Sequence, residues 1–166
     1  MKKLSLVLVI GLGLILIAGV AFAASDTKDL EIKATVGSWA KLTLGETAIN
    51  FIDTDPDTVS IPASENAVSV TVKVRTGSTS AVTLTHLAAG NLTNADSDEI
   101  PIGNVTWTAT GAGYVAGTMN RITSQTAGSW TGPGSHDGTF SYSLVNSWNY
   151  APGDYTINST YTLTAP

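Results

Sequence analysis

The sequence has no cysteine, and only 13% of its 166 residues are charged. Without thiols there are no disulfides and no thiolate metal sites, so the folded chain must rely on its core and its backbone ladders. Eight Lys and Arg stand against 13 Asp and Glu, for a net charge of −5. That balance argues against nucleic acid and anionic membrane surfaces as partners, since both need clustered cations. Strong helix formers are sparse beyond residue 24, and no window there sustains an i, i+3, i+4, i+7 apolar pattern. What remains is rich in Thr, Ser, Val and Gly. Thr and Val are stiff at χ1 and suit pleated strands.

The one long apolar run is at the start. Met1, Lys2 and Lys3 form a short positive region, residues 4–20 are apolar apart from Ser5 and three glycines, and Ala21-Phe22-Ala23 has the small-x-small pattern of a peptidase site. This predicts a signal peptide over residues 1–23, cleaved after Ala23, and an exported protein that is secreted or held at the cell surface. An uncleaved anchor is the alternative, although the run is at the short limit for spanning a bilayer. Processing would leave one domain of 143 residues, 24–166, with 6 basic and 13 acidic side chains and a net charge of −7. Such a product would not be an integral membrane protein. A domain of that size buries about two-thirds of its unfolded surface and needs no covalent staple.

Period-two alternation then runs through most of the chain. Leu30, Ile32, Ala34 and Val36 share one parity, and past Gly37 it continues in Ala40, Leu42 and Leu44, as two strand segments joined at a bend. Ile49 and Phe51 start a short strand, and Val59 and Ile61 form another, ended by Pro62. Residues 67–75 alternate most cleanly, with Val68, Val70, Val72 and Val74 to one side. With residues 81–87, where Val82 and Leu84 face inward, they read as a hairpin. Val105, Trp107 and Ala109 mark a further strand, residues 119–124 a weak edge strand, and residues 127–138 a long loop. In residues 139–166, Phe140, Tyr142, Leu144 and Trp148 share an apolar parity, and Tyr155, Ile157, Tyr161 and Leu163 alternate with hydroxyl residues. The Pro152-Gly153 turn between them predicts a second hairpin. Eight to ten short strands, each with one wet face, predict an all-β fold. An immunoglobulin-like antiparallel β-sandwich fits best, and a closed barrel is the alternative.

No residues form a catalytic constellation, so a non-enzymatic role is expected. His86 lies on the inward parity of its strand and His136 sits beside Asp137 in a glycine-rich stretch, where sequence neighbours point apart. No serine stands in G-x-S-x-G. Asp53, Asp55 and Asp57 form a D-x-D-x-D run that could ligate a structural Ca²⁺, the one cofactor the sequence suggests. Pro56 intrudes, however, and no glycine stands where a calcium loop turns, so an acidic turn with local Asx bonds competes. Asp96, Asp98 and Glu99 make a second acidic loop. Trp107 and Trp148 fall on core parities. Trp39, on the polar parity beside Lys41, and Trp130, in a Gly/Ser-rich stretch, are candidates with Tyr114 for stacking on glycans.

The last strand carries a resemblance. Gly153-x-Tyr155 leading to Tyr161-Thr162-Leu163-Thr164-Ala165-Pro166 resembles the closing stretch of the spore-coat-U and fimbrial-subunit group, and Tyr161-Thr162-Leu163 resembles the Trp-x-Leu element of cell-wall WxL domains. The resemblance implies a non-catalytic cell-surface protein, a pilus-like or coat subunit whose partners are copies of itself or related subunits. It also gives residues 24–36 a role, as a strand donated to another subunit's open edge. The same segment could instead pair within its own domain. The alternative function is a secreted carbohydrate-binding or adhesion module acting as a monomer.

Overall fold

A computed structural model describes residues 25–166. The predicted signal peptide and its cleavage site lie outside the described residues. By contact, the chain divides into a unit ending at Ala34 and a second unit, Thr35–Pro166.

The second unit is all-β, with ten strands and one 3₁₀ turn, Ile102–Asn104. In chain order the strands are β1 (Trp39–Leu44), β2 (Ser60–Arg75), β3 (Ala81–Ala88), β4 (Leu92–Thr93), β5 (Glu99–Ile100), β6 (Val105–Thr110), β7 (Gly117–Thr118), β8 (Gln125–Thr131), β9 (Gly134–Val145) and β10 (Ser159–Thr164). They form a five-stranded sheet ordered β1-β2-β9-β6-β7 and a three-stranded sheet ordered β10-β3-β8, with β4-β5 as a small ribbon. Every ladder is antiparallel. The two larger sheets share one core, so the architecture is sandwich-like.

Within β2, β3, β6 and β9 alternation identified the inward faces. Val68, Val70, Val72 and Val74 of β2 are buried, as are Phe140, Tyr142 and Leu144 of β9, Val105 and Trp107 of β6, and Val82 and Leu84 of β3. The pairings differ from those predicted. Residues 67–87 are not a hairpin: β2 pairs with β1 and β9, while β3 pairs with β10 and β8. Residues 139–166 are not one either, because β9 and β10 lie in different sheets. In both cases the chain switches sheets, and two strands with one apolar face each meet across the core rather than edge to edge. Period two fixes which face is buried but not which strand lies alongside.

Other boundaries shift for local reasons. Pro62 does not end its strand but sits in β2 opposite Ser143, next to a register shift between Pro62 and Ala67. There Asn66 adopts φ 57°, and the missing proline N–H is tolerated at a bulge. Glu65 accepts from the Asn50 backbone N–H at 2.8 Å and from its side chain at 2.6 Å. These bonds hold the Glu65 carboxyl down at about 2 and tie residue 50 to the bulge. Phe51 makes only an isolated bridge to Ala63 instead of starting a strand. The predicted edge strand over 119–124 is absent, although Met119 is buried. The predicted loop 127–138 is instead most of β8 and the start of β9. At Gly128 an added Cβ would lie 2.3 Å from the Trp130 ring, and at Gly138 2.4 Å from the Thr110 carbonyl oxygen. Glycine is needed at both because neighbouring groups occupy the Cβ position.

The largest correction is at the start. Residues 25–38 form no strand, and Leu30, Ile32 and Val36 are 83%, 87% and 67% exposed. The predicted strand over 30–36 has no ladder partner among the described residues.

Candidate functional site

Each candidate residue can now be placed. Asp53, Asp55 and Asp57 precede β2 in an exposed turn. Asp55 Oδ1 accepts from the Asp57 backbone N–H at 3.0 Å, the two-residue Asx bond of the structural reading. Asp57 Oδ1 accepts from Trp148 Nε1 at 3.0 Å, and the Asn146 side chain donates to the Thr54 and Asp55 carbonyls, both at 3.3 Å. Among the described residues, no three Asp, Glu, His or Cys side chains gather as a metal site would require. In the second acidic loop Asn94 is the hub: its Oδ1 accepts from the backbone N–H of Asp96 and Asp98, and its Nδ2 donates to the Asp98 carboxylate. Trp148 is not core but 72% exposed, because β9 ends at Val145 and the chain turns before its parity can carry further.

The two other aromatic candidates are structural. Tyr114 is buried; its hydroxyl donates to the Val70 and His136 carbonyls at 3.1 and 2.8 Å, and burial raises its pKa to about 12. Trp130 packs edge-to-face on Tyr114, stacks on His136 and donates Nε1 to the Ala112 carbonyl at 2.7 Å. These residues close one part of the core and offer no free face of the kind Trp39 has. Trp39, at the start of β1, is 72% exposed.

Sequence reasoning placed His86 inward but missed its environment. It is fully buried between Trp107 and Tyr161, with ring centroids at 5.4 and 4.7 Å, and neither ring nitrogen has a protein hydrogen-bond partner. Tyr161 in turn pairs its hydroxyl with that of Tyr142 at 2.6 Å. Desolvation alone lowers the His86 pKa to about 4 from 6.5. Between those values the unfolded chain binds a proton that the folded chain does not. Stability is therefore complete above pH 6.5 and falls as the pH drops toward 4, by about 3 kcal/mol for this group. Replacing the imidazole by His86→Leu removes the titrating group and should flatten this part of the profile. Urea melts from pH 7 to pH 4 check it; an unchanged slope in the variant would assign the acid sensitivity elsewhere.

The sheets leave one side incompletely covered. β1 and β10 are terminal strands of the two sheets and approach one another at the same side, as β7 and β8 do at the other. Along the first side Leu42, Leu44, Tyr161 and Leu163 pack on the core but stay half-buried. Among the described residues both strands thus have an unpaired backbone edge beside apolar side chains, a template for an added strand.

No family model and no curated protein matches the chain.

Among the described residues no helix is long and apolar enough to cross a membrane.

Proposed function

We propose that the chain is an exported, non-catalytic structural protein of the cell surface, a subunit with an immunoglobulin-like sandwich that joins copies of itself or related subunits by strand donation. One observation carries the reading: an apolar, period-two segment is exposed and has no ladder partner among the described residues. Leu30, Ile32, Ala34 and Val36 alternate with Glu31, Lys33 and Thr35, and none lies in a strand. A peptide of this kind gains main-chain bonds along an open edge, and its alternate side chains fill apolar depressions. The side between β1 and β10 offers terminal strands beside the half-buried Leu42, Leu44, Tyr161 and Leu163. Pairing of the segment within its own domain, the competing expectation, has no support among the ladders.

Ile32→Asp, on the apolar parity, should abolish multimers of the mature chain, whereas Thr35→Asp, on the other parity, should leave most of them. Size-exclusion chromatography of the two variants beside the parent reads this directly. Equal behaviour of the two would overturn the reading, since a donated strand must distinguish its faces. The monomeric carbohydrate-binding alternative now rests on Trp39 among the three aromatic candidates.

A further inference from the structure

Three of the cations left in the mature chain lie together. In the β1–β2 ladder Lys41 stands directly opposite Lys73, and Trp39 directly opposite Arg75. Ser135 of β9 continues the Lys41–Lys73 row on the far side of β2. These residues line a shallow groove of about 460 Å³. Across strands the two lysines are one ladder spacing apart, ~4.8 Å between backbones, and Lys73 and Arg75 are ~6.8 Å apart along β2.

Like charges directly opposite on adjacent strands are destabilising. Among the described residues none of the three is in an ion pair, although Asp137 stands diagonal to Lys73 and the Pro166 end of the chain meets Thr76, beside Arg75. Among the described residues the one ion pair is Lys28 with Asp26, elsewhere in the chain. Asp137, also on the outward face of this sheet, accepts a hydrogen bond from Thr71 at 2.6 Å. Arg75 Nε donates to the Gly37 carbonyl at 2.7 Å, which holds that guanidinium in place. Lys73 and Arg75 lie on a strand paired on both sides, so guarding an open edge does not account for them. In a chain of net charge −5 such clustering is not a by-product of composition.

We propose that this groove binds an acidic polysaccharide, with the exposed indole of Trp39 under a sugar ring and Lys41, Lys73 and Arg75 on its carboxylates. Charge complementarity selects an anionic partner, and the flat aromatic face beside the cations selects one with apolar ring faces over an acidic peptide. The proposal goes beyond assembly and does not depend on it.

Calorimetry of the mature chain with polygalacturonate at low salt tests it, with methyl-esterified polygalacturonate and polyglutamate as comparisons. The expected result is binding of polygalacturonate, at least about tenfold weaker binding of each comparison polymer, and a similar loss on Trp39→Ala or Lys73→Gln. Added salt should weaken the interaction as well. No binding of polygalacturonate, or equal binding of polyglutamate, would overturn the proposal. So would an unaffected Trp39→Ala variant. If Lys73→Gln dissolves multimers, the patch is a contact between copies and the polysaccharide reading is wrong. Trp39 and Lys73 are exposed, so neither change should impair folding, and unchanged urea melts would establish that.

Discussion

Val70→Asp should unfold the domain under conditions where Ser69→Asp leaves it intact. Val70 is 1% exposed at the middle of β2, paired with Leu44 on one side and Gly138 on the other. The nearby Tyr114 hydroxyl already donates to two backbone carbonyls and is not free to serve a new carboxylate. An uncompensated buried charge costs roughly 3–5 kcal/mol, to which the lost valine packing adds. A domain of this size has a total stability of only about 5–15 kcal/mol. Ser69 is exposed on the opposite face, where substitutions usually stay within about 0.5 kcal/mol. Thr71, of the same outward parity, is a poorer control, because its hydroxyl donates to Asp137 and a carboxylate there would face another. Urea midpoints of the two variants make the comparison. Equal losses would mean the phase of β2, and so the whole core, is assigned wrongly.

Deleting residues 24–36 should abolish multimers completely while barely changing the melting of the monomer. Residues 25–36 supply no strand to the sheets and no buried side chain to the core, so their loss removes nothing the domain uses. A free peptide of sequence 24–36 added to the truncated protein should raise its melting temperature in a concentration-dependent way. A ligand that binds only the folded state stabilises it by mass action, by about 2.7 kcal/mol at a hundred times its dissociation constant. Scanning calorimetry with increasing peptide reads that shift. A truncated protein that fails to fold would show that the segment pairs within its own domain. A truncated protein that still forms multimers would show that association uses another surface.

The sequence was legible where one face of a strand had to be buried. Val68 to Val74, Phe140 to Leu144 and Val82-x-Leu84 each announced the inward face through period two. Neighbours were not legible, because a strand with one apolar face is equally satisfied beside another or across the core from it. β8 was missed for a different reason. Its sequence, QTAGSWT, has no β-branched apolar run, and the Trp130 ring fills the space a side chain at Gly128 would take. Trp148 was misread because parity was carried past the end of β9. Residues 30–36 show the converse: a good strand pattern with no ladder partner among the described residues. The cation groove was invisible to net charge, since composition averages over the surface and only the β1–β2 register sets Lys41 against Lys73. The isolation of His86 could not be anticipated either, as it depends on Trp107 and Tyr161 arriving from two other strands.

Strand donation between copies is tested most directly by sedimentation velocity of the chain beginning at Ala24, over a wide range of concentrations. The account predicts a monomer at the lowest concentration and progressively larger species above it, with no such growth in the Ile32→Asp variant. A single monomeric boundary at every concentration would contradict it.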